Sequence, residues 1–279
     1  MKEGLMNRIL EGAYDMHVHT APDVIDRRMD DLDLAAAYKA AGMKGFVIKS
    51  HYFETAGRAY LIRRLFPGLH AVGAIVLNRA VGGLNPEAVR MAANYGAQVV
   101  YMPTVDAFNM SGNGSAIRVY AGGSLDPAID EILDIVRDHD MVLCSGHIAP
   151  QETLALFERA CERGIRKMLA THVEWKPTRA DVPMQRRFTE CGAFLEHCVI
   201  NLIGGDLTIS DLVEQIHEIG AEHMVLSTDL GQAHNPAPYE ALEEYADKLL
   251  RAGVTEEELR MMLVTNPARL LSAEGTDRL

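Results

Sequence analysis

Residues 14–20 read YDMHVHT, a short apolar run that ends in two histidines separated by one residue. It is the first of eight short runs that are rich in β-branched residues, the composition typical of buried β-strands. The other seven runs cover residues 45–51, 70–78, 97–104, 141–147, 167–173, 193–200 and 223–229. The regular recurrence of these runs along the chain is the feature that decides the fold.

Segments with the periodicity of amphipathic helices separate the eight runs, for example DDLDLAAAYKAAG and LDPAIDEILDIVRDHD. Gly42, Gly164 and Gly220 follow such segments, as expected just after the C-terminus of a helix. Strict alternation of eight strands with helices predicts an α/β protein, a (β/α)8 TIM barrel. A doubly wound open sheet is the alternative, but it would be expected to carry a glycine-rich phosphate-binding turn after the first strand. The segment DMHVHTAPD is not such a turn.

The composition contains no boundary between domains, so residues 1–279 are predicted to form one barrel domain. Residues 1–13 are an N-terminal extension in this interpretation. Residues 105–124 follow the fourth predicted strand and read VDAFNMSGNGSAIRVYAGGS. Their glycine, serine and asparagine content predicts a long irregular loop, either at the rim of the active site or as a tolerated surface insertion.

The charge and composition exclude several classes of protein. With 27 basic and 39 acidic residues the formal net charge is −12, which argues against binding to nucleic acid or to anionic membranes. A hydrophobic fraction of 48% excludes a disordered chain. The four cysteines contain no CxxC pair, which indicates a reducing compartment. With no continuous signal core in MKEGLMNRILEGAYD and no long apolar span, we expect a cytoplasmic protein.

Polar side chains follow the apolar part of several predicted strands, at the end where a barrel of this class carries its chemistry. They are His17 and His19 on the first strand, His147 on the fifth, His172 on the sixth and Asp229 on the eighth. Alternation by two places His17 and His19 on one face. His70 and His223 begin their strands and are therefore expected at the opposite end. Four imidazoles and one carboxylate are ligands for zinc or a related divalent transition metal, as one or two ions, whereas calcium or magnesium would need more carboxylates.

These motifs resemble the amidohydrolase superfamily of metal-dependent hydrolases. DMHVHT resembles the opening HxH strand of that family, and SGHIAPQE, THVEW and STDLG resemble its fifth-, sixth- and eighth-strand motifs. TEEELRMMLVTNPARLL resembles the helical segment after the last strand. The likeness runs over residues 14–272. It implies a (β/α)8 barrel with a hydrolytic site that holds one or two metal ions.

The resemblance fails at the fourth strand. QVVYMPT offers neither the carboxylated lysine nor the glutamate that usually bridges the metals of binuclear members. Lys49 on the second strand is the nearest candidate for a carboxylated bridge. The alternatives for Lys49 are pairing with a substrate anion, a Schiff base, or a lysine whose stem is buried at the strand end. His51 has the same parity as Lys49 and is a further candidate ligand.

The resemblance implies an enzyme that uses a metal-activated water to hydrolyse an amide, a cyclic amide or another C–N bond of a small molecule. A metal lowers the pKa of its bound water to about 7. Asp229 is expected to shuttle the proton to the leaving group, and His172 to hold a metal or polarise the substrate. One alternative is a lactonase. Another is a phosphoesterase like the polymerase-and-histidinol-phosphatase group, which has a second-strand histidine but also a third-strand carboxylate that AIVLN lacks. An alternative of another class is a catalytically silent barrel that binds a metal or a small ligand.

Three residues are candidates for substrate binding. Arg58 ends a predicted loop, Glu174 lies two positions after His172, and Glu196 is on the seventh strand. Glu196 and His197 have opposite parity, so only one of them can point into the barrel, and the sequence leaves open which. The expected partner is a small-molecule substrate, and a homo-oligomer stays open.

Overall fold

The computed structural model describes residues 9–112 and 116–271. Eight parallel strands form one sheet in chain order, which confirms the predicted (β/α)8 barrel. They are β1 (Tyr14–Val18), β2 (Gly45–Ile48), β3 (His70–Val76), β4 (Ala97–Tyr101), β5 (Val142–Cys144), β6 (Met168–Ala170), β7 (Phe194–Cys198) and β8 (Met224–Ser227). Parts of four predictions lie outside the described residues, namely residues 1–8 of the N-terminal extension, residues 113–115 of the loop, residue 272 at the end of the family resemblance, and residues 272–279 of the predicted domain.

Helices follow the strands and cover the outside of the sheet. They are α1 (Asp31–Ala40), α2 (Ala56–Leu65), α3 (Pro86–Asn94), α4 (Phe108–Ser111), α5 (Ala128–Asp138), α6 (Pro150–Glu162), α7 (Val182–Glu190), α8 (Val199–Gly204), α9 (Ile209–Ile219), α10 (Pro238–Arg251), α11 (Glu256–Arg260) and α12 (Asn266–Leu271). A π-helical turn, Met261–Thr265, joins α11 to α12. Of the described helices, none combines the length and the apolar character needed to cross a membrane.

The sheet closes between its first and last strands just beyond their C-terminal ends. The backbone N of His19 donates to the carbonyl oxygen of Leu230 at 2.8 Å, and the backbone N of Asp229 donates to that of His17 at 2.7 Å. Closure therefore places the two histidines of β1 directly beside the carboxylate that follows β8.

The apolar residues divide into an inner and an outer layer. Alternate residues of the strands, such as Met16, Val47, Val99 and Val142, pack inside the barrel. The larger layer lies between the sheet and the helices. Because side chains alternate along each strand, the inner layer continues at the C-terminal end of the barrel into the polar residues described below.

An extra residue in β1 changes which side chains point inward. Asp15 pairs with Phe46 and Val18 pairs with Ile48, so three steps on β1 match two steps on β2. Tyr14 and Met16 belong to the inner layer, whereas Val18 packs in the outer one. A bulge of this kind re-aims the following side chains, and here it turns His17 and His19 toward the barrel interior.

The described residues between positions 105 and 124 include regular elements. They contain α4 and the first strand of a hairpin, Tyr120–Ala121, which pairs with Ser124–Leu125. The Glu152 carboxylate at the start of α6 accepts from the backbone N of Val119 at 3.0 Å and from that of Tyr120 at 3.1 Å. The side-chain amide of Asn109 donates to the His147 carbonyl oxygen at 3.2 Å. The loop therefore contacts the C-terminal end of the barrel.

Candidate active site

One carboxylate lies at the centre of the histidine cluster. Oδ1 of Asp229 is 2.9 Å from Nε2 of His17 and 3.0 Å from Nε2 of His19. Oδ2 of Asp229 is 3.3 Å from Nε2 of His172. The structure thus brings together side chains from the ends of β1, β6 and β8. Two of them, His19 and Asp229, are 210 positions apart along the chain.

Two of these residues have an unusual backbone conformation. His172 has a φ of 53° and Asp229 has a φ of 49°. Both angles lie in the left-handed region, which residues other than glycine seldom adopt. Such a conformation costs on the order of 1 kcal/mol and persists where the surrounding structure fixes it, often at functional sites. At both positions it directs the side chain toward the cluster from a loop just beyond the strand.

His147 completes the cluster beyond the end of β5. Its ring centroid lies 5.4 Å from that of His172. Both ring nitrogens of His147 are buried and have no hydrogen-bond partner among the described residues. Burial lowers the pKa of His147 well below its ordinary value, so the ring is neutral at neutral pH and keeps a lone pair for a ligand.

The second strand contributes Lys49 and His51, which lie on the same side as their shared parity predicts. Nζ of Lys49 is 2.8 Å from Nε2 of His17 and 4.6 Å from the ring centroid of Tyr101, and the Lys49 side chain is fully buried. His51 lies with its ring centroid 4.9 Å from that of His19, and its Nδ1 is 2.8 Å from Oγ1 of Thr104. Both side chains therefore belong to the cluster.

The charges of the cluster are balanced within it. Burial acts to lower the pKa of His17, but the charges of Asp229 and Glu196 outweigh burial and raise it. Burial acts to raise the pKa of Asp229, yet His17 and His172 hold it well below its ordinary value. Burial lowers the pKa of His19 and of His172 to about 4. His17 and the carboxylates of Asp229 and Glu196 therefore favour each other's charged forms, whereas the neighbouring Lys49 acts to lower the pKa of His17.

The structure answers the question that parity left open on β7. Glu196 points into the barrel, where its Oε2 lies 3.1 Å from Nδ1 of His17 and both side chains are fully buried. His197 points outward and bonds through Nδ1 to Oε1 of Glu174. Glu174, a candidate for substrate binding, is therefore buried in a contact with His197. Glu196, expected to bind substrate, instead contacts a histidine of the cluster.

Arg58, another candidate for substrate binding, forms hydrogen bonds with Asp31 and Thr20. Its Nε and Nη2 donate to the two carboxylate oxygens of Asp31 at 2.8 and 2.7 Å, and Nη2 donates to the Thr20 carbonyl oxygen at 2.9 Å. Bidentate pairing of this kind fixes both groups. Arg58 therefore holds the segment after His19 in place, in contrast to the free base expected for contact with a substrate.

A cavity of about 300 Å³ opens above the cluster. It is lined by His147, His172, Trp175, Ile200, Asn201, Ile203, Gly204, Asp206, Asp229, His234 and Asn235. The ring centroid of Trp175 lies 4.9 Å from that of His147 and 5.6 Å from that of His172, so Trp175 forms a wall of the cavity. Within the described parts of the chain, neither lysine nor arginine contributes to the lining.

The donor set fits a divalent transition metal. Besides the two nitrogens of His147, Nδ1 of His172 and Oε1 of Glu196 are buried without a partner among the described residues. Leaving such groups unpaired costs about 1–3 kcal/mol each, which a cation would offset. The donor atoms of two sets lie within 4.8 Å of one another, namely His17, His19 and Asp229, and His17, His172, Glu196 and Cys198. Imidazole, carboxylate and thiolate are the ligands that zinc and its neighbours prefer.

Cys198 is the residue that the sequence interpretation missed. It lies in an apolar run, where a cysteine ordinarily packs as a small hydrophobic side chain. Cys198 lies two positions after Glu196, so the two side chains share one face of β7. The sequence alone does not say whether that face is internal.

A model of the family described as "Family of unknown function (DUF6282)" matches residues 12–196. No curated protein matches the chain. Solved structures with similar folds include an amidohydrolase from Pseudomonas aeruginosa, with 13% identity and a TM-score of 0.67 over 96% of this chain and 97% of that one. A lactonase from Listeria monocytogenes has 15% identity and a TM-score of 0.67 over the same shares of the two chains. An organophosphorus hydrolase from Deinococcus radiodurans has 17% identity and a TM-score of 0.62 over 94% and 92%. These similarities show that the barrel fold is shared.

Proposed function

Because the chain belongs to a family of unknown function, DUF6282, we propose its activity from the site itself: metal-dependent hydrolysis of a small, uncharged amide or lactone. The observation that carries this proposal is the convergence of three imidazoles on Asp229, a carboxylate that also lines an open cavity. The names of the similar structures, an amidohydrolase, a lactonase and an organophosphorus hydrolase, support hydrolysis as the reaction class.

The residues that would hold the metal are His17, His19, His147, His172 and Asp229. A divalent transition metal, zinc or a related ion, would supply Lewis acidity and would lower the pKa of a nearby water molecule. His51 is a further ligand in this proposal. Lys49 remains the candidate for a carboxylated bridge between two ions, because its Nζ lies 2.8 Å from a nitrogen of the donor set.

Asp229 is the proton shuttle in the proposed reaction. Its Oδ1 lies 2.9 Å from Nε2 of His17 and 3.0 Å from Nε2 of His19, whereas Oδ2 has only the longer contact, 3.3 Å, with Nε2 of His172. The side chain is 15% exposed and lines the cavity, so Oδ2 can reach a bound substrate. Oδ2 therefore takes the proton of the attacking water and delivers it to the leaving nitrogen or oxygen. His172, at the cavity wall, orients Oδ2.

The lining of the cavity favours an uncharged substrate. Trp175, Ile200 and Ile203 offer an apolar wall. Asp229 and Asp206 add carboxylates to the lining, and Oδ1 of Asp206 lies 3.6 Å from Nη2 of Arg179. Lys49 is fully buried and does not reach the cavity surface. A phosphomonoester would bring about two negative charges into this lining and would find neither lysine nor arginine among the described residues that line it. An amide or lactone carbonyl has no such requirement, and the family resemblance favours the amide.

A panel of substrates tests the proposal. The purified protein is assayed against cyclic amides, lactones and aryl phosphates, before and after exhaustive chelation. We expect turnover of a cyclic amide or a lactone, its loss on chelation, and its recovery when zinc is returned. Turnover that survives complete metal removal would contradict the proposed chemistry. Tightly bound metal with no turnover of any of the three classes would favour the silent, ligand-binding barrel.

A further inference from the structure

The inner face of β7 carries two side chains with metal-binding chemistry. Glu196 and Cys198 are two positions apart on this strand, and both are fully buried. Neither contributes to the lining of the cavity above the histidine cluster. Both are therefore covered from the cavity, whereas Asp229 and His172 line it.

His17 and His172 connect this pair to the histidine cluster. The donor atoms of His17, His172, Glu196 and Cys198 all lie within 4.8 Å of one another. His17 has a different partner at each ring nitrogen. Nδ1 is 3.1 Å from Oε2 of Glu196, and Nε2 is 2.9 Å from Oδ1 of Asp229. The imidazole of His17 therefore lies between two groups of donors. One group includes Glu196 and the other includes Asp229.

Two donor atoms of the group that contains Glu196 have no hydrogen-bond partner among the described residues. Oε1 of Glu196 and Nδ1 of His172 are buried and have no hydrogen-bond partner in the described parts of the chain. One thiolate, one carboxylate and one or two imidazoles are three to four ligands of the kinds found in tetrahedral zinc sites. The sulfur donor disfavours magnesium and calcium, which prefer oxygen.

We propose that Cys198, Glu196 and the unpartnered Nδ1 of His172 bind a second divalent transition metal ion beside the proposed hydrolytic site, which His172 faces through its Nε2, 3.3 Å from Oδ2 of Asp229. His17 lies between the two ions in this proposal. This site uses β7, which contributes none of the ligands expected from the family resemblance. It offers a place for a second ion in a chain whose fourth strand lacks the usual bridging group. Binding of this ion does not depend on the proposed hydrolysis, because it requires no turnover.

Cobalt(II) is the probe for this site, because a cobalt ion bound by a thiolate gives a charge-transfer absorption band in the near ultraviolet. We expect the cobalt-loaded wild-type protein to show this band. Cys198→Ser should lose the band and one bound ion per chain. Cys144→Ser is the matched control, since Cys144 is also fully buried inside the barrel but is not among the four donors. This variant should keep both the band and the ion.

A measurement without a variant covers the case in which Cys198→Ser does not fold. X-ray absorption of the zinc-loaded wild-type protein should show a sulfur neighbour at about 2.3 Å from zinc. Cobalt that binds without the near-ultraviolet band, or zinc with only nitrogen and oxygen neighbours, would overturn the β7 site. Those two results would leave the proposed hydrolysis standing, whereas failure of the substrate panel would leave the β7 site standing.

Discussion

Asp15 on β1 holds Thr228, the residue after β8, by two hydrogen bonds. Its carboxylate accepts from the backbone N of Thr228 at 3.0 Å and from Oγ1 of Thr228 at 2.6 Å. The same carboxylate accepts from the hydroxyl of Tyr38 at 2.6 Å and from the backbone N of His17 at 3.2 Å. Since Thr228 directly precedes Asp229, one buried group fixes both strands that carry the centre of the candidate site.

Replacing Asp15 should therefore weaken the closure of the barrel. We expect Asp15→Ala to lower the free energy of unfolding by about 3 kcal/mol, because it leaves several buried donors without an acceptor. Urea denaturation measures this change. Asp33→Ala, at an exposed position of α1, is the control and should be nearly neutral. Equal stability of the two variants would show that Asp15 is not needed for closure.

Asp229→Asn should abolish most of the turnover while leaving the fold intact. The amide keeps the shape of the side chain but cannot accept and pass on the proton, so we expect kcat to fall by about 10²–10⁴-fold. Circular dichroism should be unchanged. Asp33→Asn, at an exposed position of α1 away from the cavity, is the control and should keep the wild-type rate. A wild-type rate in Asp229→Asn would exclude the proposed proton shuttle.

Trp175→Ala should weaken substrate binding more than it slows the chemical step. The indole forms the apolar wall of the cavity beside His147 and His172. Loss of an aromatic contact of this kind is worth about 1 kcal/mol, so we expect KM to rise by about five- to tenfold with a smaller change in kcat. Trp175→Phe should retain most of the affinity. A fall in kcat with an unchanged KM would place Trp175 outside the substrate site.

The lowered pKa of His70 leads us to expect a loss of stability in acid, and this effect does not involve the candidate site. His70 begins β3 at the opposite end of the barrel, where Nδ1 lies 3.1 Å from the hydroxyl of Tyr14. Burial lowers the pKa of His70 from 6.5 to about 4. Below pH 6.5 the unfolded chain therefore binds a proton that the folded chain resists, so the stabilisation present above pH 6.5 is lost as the pH falls toward 4.

The measurement for His70 compares two pH profiles. The free energy of unfolding of the wild-type protein should fall more steeply between pH 6.5 and 4 than that of His70→Asn, which has no titrating ring. The other lowered histidines titrate in both proteins and cancel in the difference. Parallel profiles would show that the folded and unfolded states bind this proton equally well.

The sequence determined the barrel and the positions of its strand ends. Local periodicity suffices for this, because a strand alternates every two residues and a helix repeats every 3.6 residues whatever the rest of the chain does. The eight runs of β-branched residues became β1 to β8 in chain order. Placement at a strand end then brought His17, His19, His147, His172 and Asp229 to one end of the barrel.

Only the tertiary structure decided which side chains meet there. The alternation of side chains relates neighbours on one strand but does not say which face is internal. The bulge in β1 and the inward direction of Glu196 and Cys198 could therefore not be derived locally. The pairing of Arg58 with Asp31 and of Glu174 with His197 likewise depends on residues from different elements. Such contacts are set by how strands and helices pack in three dimensions, and no window of the sequence contains both partners.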